Sequence, residues 1–243
     1  PDVALRLEQV LPQSASFWNK LQKNFEETLA RLEFEKKIEQ EALCYKEAFS
    51  FTYKLLVKHK FLEKKNDIKE KIKSLYNFFG VISLKNISTL HNVAFRQKET
   101  ANIDKVSVAA WIRVGEIIAR EKIKHLSSVG KINITTNWLE AVKELIILEE
   151  WKMIVKRLTD LCEKIWIILV VTPYFDKTYI NGCTKRIWDY PVIQISDRWK
   201  TIDGFWFTFF HELWHVYLHG KKRTFIDYEI NKWKYQETLQ EDE

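Results

Sequence analysis

Two histidines and a glutamate fall within five consecutive residues of an aromatic run. They are His211, Glu212 and His215 of an HExxH pattern inside Phe205 to Gly220, FWFTFFHELWHVYLHG. On an α-helix, residues four apart share one face about 6 Å apart, so the imidazoles of His211 and His215 can grip one metal ion. Glu212 falls beside them, where a carboxylate can act as general base toward an attacking water. An ionisable trio in so apolar a helix costs free energy unless it is paired or metal-bound. No structural purpose for Glu212 is evident from its neighbours in sequence, which points to a zinc site with Glu212 as the catalytic residue. The alternative is two helix histidines and a glutamate that nearby groups satisfy.

Catalytic zinc usually takes three protein ligands and keeps a fourth position open. His219 continues the four-residue spacing, but two further turns carry it about 12 Å along the axis from His211, too far for one ion. Gly220 follows His219 instead of preceding a third histidine, so the longer HExxHxxGxxH pattern is not met and His219 reads as a helix-end residue. The acidic tail Gln240, Glu241, Asp242, Glu243 is the better source, because a glutamate on a following helix would complete a His2Glu set. An oxyanion donor or substrate contact is sought among Arg198, Lys200 and Tyr217, candidates by proximity in sequence; the alternative for Arg198 is a turn residue paired with Asp203. At helical spacing, Phe205, Trp206, Phe207, Phe209, Phe210, Trp214 and Tyr217 read as core and not as a stacking platform for bases. Lys221, Lys222 and Arg223 read as a solvated loop after the helix.

The elements that must hold this helix are mostly helical. Val3, Leu5, Leu7, Val10 and Leu11 make a short amphipathic helix that Pro12 ends, and Ser14 or Ser16 caps a second carrying Phe17, Trp18 and Leu21. From Asn24 to Lys65, spacings of three and four predict one or two long helices. Asn66 and Asp67 supply a cap for IKEKIKSLYNFF, and Gly80 closes it. Ser88 to Gln97 and Asp104 to Arg120 form a further helical pair, whose segments 94–97 and 109–116 read as core packing, with Arg96 and Arg113 as candidate surface or interdomain contacts. A third helical block runs from Asn137 to Lys164. Then the period changes: Trp166 to Thr172 reads as a buried strand, Tyr179 to Cys183 and Lys185 to Trp188 as short strands around Gly182, and Val192 to Ser196 as another. A small sheet, antiparallel in part, thus precedes the HExxH helix.

Composition narrows the class. With 243 residues, 46% of them hydrophobic, and only six glycines and four prolines, the chain can bury a sizeable core in a helix-rich fold with short loops. The net charge of +6 permits contact with a polyanion. Cys44, Cys162 and Cys183 are odd in number and widely spaced, which argues against a disulfide framework and for a reducing cytoplasm. No run approaches 18 apolar residues, so no membrane span is expected.

The residues also resemble a family. Tyr179 to Asp227, YINGCTKRIWDYPVIQISDRWKTIDGFWFTFFHELWHVYLHGKKRTFID, is similar to the ImmA/IrrE-type metallopeptidase domain in the version fused to HigA-type antitoxins. Pro1 to Gln22, with its "ALRLE", "FW" and "LQ", resembles the last two helices of the XRE-type helix-turn-helix domain of such antitoxins. AFRQ at 94 to 97 and AAWIRVGE at 109 to 116 resemble them too, and the likeness is strongest over 1 to 32 and 179 to 227. It implies an α+β, mostly α protein in three parts. Residues 1–33 would be the C-terminal part of a helix-turn-helix domain, 34–136 a helical connector, and 137–243 a zincin-like domain with a small sheet and the HExxH helix. In the family the third zinc ligand is the glutamate of an "EA" pair opening a later helix, which makes Glu243 the first choice and Glu241 the second. The recognition helix lies upstream of the hairpin and outside this sequence, so DNA-binding residues are unassigned and residues 1–243 are expected to bind DNA weakly.

The expected function is an antitoxin-like transcriptional regulator carrying a zinc metallopeptidase-like domain. Its partners would be operator DNA and a toxin or regulator protein, with a homodimer as one assembly and no membrane. The first alternative is a zinc-dependent endopeptidase acting on a regulator or partner protein; the second is a non-catalytic sensor or binding module.

Overall fold

Helix α1 (Asp2–Val10) and helix α2 (Ala15–Gln40) pack against each other through a short link. Ser14 caps α2, its side chain accepting from the Phe17 N–H at 3.4 Å, and the Glu8 carboxylate accepts from the Ala15 N–H at 2.9 Å. The computed structural model describes residues 2–87, 103–126, 130, 132–198, 201–218 and 225–228. Within them the chain is mostly helical with one small mixed sheet.

Helix α2 passes without a break through Asn24, where the sequence reading opened a new segment; no glycine or proline lies nearby to stop it. The chain bends later, at Glu41. A single turn α3 (Ala42–Cys44), a π-helical turn (Tyr45–Phe49) and α4 (Ser50–Lys58) follow, so the helix expected to reach Lys65 is interrupted and stops early. The cause lies in long-range bonds. The buried Glu41 carboxylate accepts from the Tyr76 hydroxyl at 2.8 Å, from the Leu84 N–H at 2.9 Å and from the Ser83 hydroxyl, which fixes the bend. Lys60, at φ 63°, turns the chain after α4.

Helix α5 (Ile68–Phe79) begins and ends as read: Asp67 accepts from the Glu70 N–H at 3.1 Å, and Gly80 closes the helix in the left-handed conformation at φ 69°. Two ion pairs tie α5 to α2, Lys73 to Glu35 at 2.7 Å and Lys69 to Glu39 at 2.6 Å. The helix expected over Ser88 to Gln97, with Arg96, lies outside the described residues. Its partner α6 (Lys105–Lys124) is capped by Asp104 and runs four residues past the expected Arg120. The block from 137 to 164 is two helices, α7 (Thr136–Ile146) and α8 (Trp151–Lys164). Residues 147–150 contain neither glycine nor proline, so the break has no local sequence mark.

Four strands follow: β1 (Ile168–Thr172), β2 (Ile180–Ile187), β3 (Tyr190–Ser196) and β4 (Phe225–Tyr228). The sheet order is β1-β3-β2-β4, with β1 parallel to β3 and β2 antiparallel to both its neighbours. The two short strands expected around Gly182 are one strand: it pairs with β3 from Gly182 onward, and its pairing with β4 shifts register between Ile180 and Gly182 without ending the strand. Strand β4 had no counterpart in the sequence reading.

Side chains alternate across the sheet. Ile168, Val170 and Val192 pack with Ala119 and Ile123 of α6 on one face. Leu169, Ile193 and Ile195 pack with α7, α8 and α9 (Ile202–Leu218) on the other. Parallel pairing with both faces covered explains the apolar run ILVV of β1, which starts at Ile168 and not at the expected Trp166, because Trp166 turns the chain at φ 65°. On the α6 face, Lys185 of β2 is only 5% exposed and donates to Glu116 at 3.0 Å and to the Ile112 carbonyl at 3.3 Å. Glu116 also accepts from Arg113 at 2.8 Å, and Arg113 donates to the Phe78 carbonyl at 2.9 Å. A continuous core from Leu56, Ile72 and Trp111 to Phe175, Ile180 and Cys183 joins the preceding helices to the sheet.

Candidate metal centre

Helix α9 lies across β2 and β3. At about 100° per residue its surface divides into three arcs. Phe205, Phe209, Leu213 and Val216 enter the core shared with α7 and α8. Thr208 and Glu212, both completely buried, turn onto β2, as the approach of both to Gly182 records. Phe207, Trp214 and Tyr217 face solvent at 59%, 57% and 71% exposure. The aromatic density read as core is therefore only partly core, since a helix on one face of a sheet buries about half its circumference. His211 and His215 are half-buried on the border between Glu212 and the exposed rings.

The two imidazoles present Nε2 to Nε2 at 3.1 Å, with ring centroids 4.7 Å apart and planes at 84°. The Phe207 ring stacks on His211 at 6.3 Å. At 3.1 Å the two nitrogens are within hydrogen-bond distance, with donor and acceptor set by the tautomers, and the separation is also close to the about 3.3 Å between two nitrogens that share one tetrahedral zinc at about 2.0–2.1 Å. Among the described residues no group of three His, Cys, Asp or Glu side chains is arranged to hold a metal. The expected third ligand, Glu243 or Glu241, lies outside the described residues, as do His219 and Lys200.

Glu212 has a partner that its sequence neighbours did not reveal. The Thr184 hydroxyl on β2 lies 2.5 Å from Glu212 Oε2 and 3.1 Å from the Glu212 carbonyl oxygen. The expectation that Glu212 serves no structural purpose is thus corrected: its carboxylate is bonded across the interface of α9 with the sheet. Gly182, two residues earlier on the same strand face, makes room for it. A Cβ at Gly182 would lie 2.6 Å from Glu212 Oε1, 2.8 Å from its Cγ and 2.9 Å from Thr208 Cγ2. On the reverse face of β2, burial pushes the Cys183 thiol up to about 12; Lys185 opposes this, while Glu212 and Glu116 add to it.

The remaining candidates are placed as follows. The Arg198 guanidinium lies 4.8 Å over the Tyr174 ring and 5.7 Å from that of Tyr179. Tyr217, two residues beyond His215, lies on a different side of the helix from the histidine pair. Gly182, Thr184 and Thr208 were missed from the sequence. The period-2 spacing of Gly182 and Thr184 was available, but only the packed structure shows which strand face meets α9.

Comparison with family models, with curated proteins and with solved structures gave no match for this chain. No helix among the described residues is long and apolar enough to cross a membrane.

Proposed function

We propose that this chain is a regulator of the antitoxin kind carrying a zinc-metallopeptidase-like domain, and that the domain hydrolyses a peptide bond in a toxin, regulator or other partner protein. The observation that carries the reading is the facing Nε2 pair of His211 and His215, 3.1 Å apart, with Glu212 beside it on α9. In this reading the two histidines hold zinc, and Glu243, or failing it Glu241, supplies the third ligand. Zinc, when bound, acts as a Lewis acid that polarises the scissile carbonyl and makes water a nucleophile at neutral pH. The Glu212 carboxylate takes the proton that the attacking water releases and returns it to the departing amine. The half-buried imidazoles lie nearer solvent than the buried carboxylate, so a polypeptide approaches from the histidine side.

A zincin-like architecture belongs to the same proposal, supported by the HExxH helix lying across a small mixed sheet. The regulator half of the reading rests on the resemblance of residues 1–32 to the end of a helix-turn-helix domain, with operator DNA as partner and a homodimer as one assembly. Free Cys44, Cys162 and Cys183 suit a cytoplasmic setting. One observation favours a second reading, the non-catalytic binding module: Glu212 is completely buried and bonded to Thr184, as a purely structural carboxylate would be.

The test is incubation of the zinc-loaded and chelator-treated protein with a panel of toxin and regulator proteins, followed by mass spectrometry. Cleavage that depends on zinc supports the proposal. Stable binding without cleavage under both conditions supports the binding module instead.

A further inference from the structure

We propose that Thr184 is a positioning residue, which with Gly182 holds the Glu212 carboxylate in the orientation its role as base requires; the inference rests on that role. A glutamate side chain reaches its carboxylate through three rotatable bonds, so an unheld one samples several positions. Here the strand restricts it. The Thr184 hydroxyl carries one hydrogen, and of its two acceptors on Glu212 the carboxylate Oε2 at 2.5 Å is nearer than the main-chain oxygen at 3.1 Å. A hydrogen bond to a carboxylate in fully buried surroundings is of the stronger kind.

The donor is itself fixed. Threonine is stiff at χ1, and Thr184 pairs with Ile193 on one side and Phe225 on the other, so its backbone is held from both neighbouring strands. Gly182 completes the cradle by absence of a side chain: Oε1, Cγ and the Thr208 methyl occupy the space a Cβ would need. Glycine and threonine at alternate positions of one strand thus shape the surface on which a single carboxylate rests.

A bond that merely fastened α9 to the sheet would change stability alone. A positioning bond also changes where the carboxylate sits and how fast the bond-breaking step runs. Three variants separate these roles: Thr184→Val removes the donor at nearly constant shape, Thr184→Ala removes it should the valine variant not fold, and Thr184→Ser retains it. Crystal structures of the zinc-loaded proteins are expected to show the Glu212 carboxylate in place in wild type and Thr184→Ser and displaced in the donor-less variant. On a cleaved protein substrate, the donor-less variant is expected to lose about 10–100-fold in kcat with KM little changed, and Thr184→Ser to recover most of it. A carboxylate that stays in place without the donor overturns the proposal, and so does an unchanged kcat with a displaced carboxylate. A wild type that cleaves nothing contradicts the hydrolytic reading alone, and the crystal structures still decide whether Thr184 positions Glu212.

Discussion

Gly182 on β2 and Glu212 on α9 approach so closely that a single added methyl group would lie 2.6 Å from Glu212 Oε1 and 2.8 Å from its Cγ. Gly182→Ala therefore forces the carboxylate or the helix to move. Overpacking of this kind costs about 1–3 kcal/mol, which for a chain of this size lowers the melting temperature by about 2–12 °C. Thermal unfolding followed by circular dichroism measures it. A variant as stable as wild type would mean that α9 does not rest on β2 as described.

On the opposite face of β2, the buried Lys185 pairs with the partly buried Glu116 at 3.0 Å, and Arg113 reinforces the pair. Burial alone would raise the Glu116 carboxyl, but Lys185 and Arg113 outweigh it and hold the group below its ordinary value. Because folding lowers this pKa, ionised Glu116 stabilises the fold above the unfolded-state value of about 4.3, and that contribution fades as pH falls through the lower folded-state value. Glu116→Gln leaves Lys185 buried without its counter-ion and should destabilise by about 3 kcal/mol at pH 7. Urea titrations at pH 7, 5 and 3.5 should show the gap between wild type and variant narrowing only at the acid end. A gap that stays constant across that range would contradict the pairing.

Much of the helical framework was legible because its signals are local. Asp67 and Gly80 bracket α5 as a cap and a left-handed terminus, and Ser14 caps α2. What was not legible depends on contacts distant in sequence. The bend at Glu41 is held by Tyr76, Ser83 and Leu84, all distant in sequence, and the break between α7 and α8 carries no local mark. The same division holds at the site: the histidine pair follows from four-residue spacing, whereas Thr184 reaches Glu212 only after the sheet and α9 have packed. An isolated glycine inside a strand pattern marks either an irregularity or a close approach, and at Gly182 both occur, a register shift toward β4 and contact with Glu212, which the sequence does not distinguish.

Glu212→Gln separates catalysis from architecture. The glutamine carbonyl can still accept from Thr184, so fold and zinc content should persist, while cleavage of a protein substrate should fall by about two to four orders of magnitude through loss of the base. Parallel cleavage and zinc assays check this. Undiminished cleavage by the zinc-loaded variant would remove Glu212 from the mechanism.

The histidine pair itself is tested most directly by metal content. Elemental analysis of purified wild type, His211→Ala and His215→Ala, each dialysed against the same trace of zinc, should find about one zinc per chain in wild type and next to none in either variant, because two of the usual three protein ligands are these imidazoles. Equal zinc in all three proteins, or none in wild type, would contradict the assignment of His211 and His215 as a metal site.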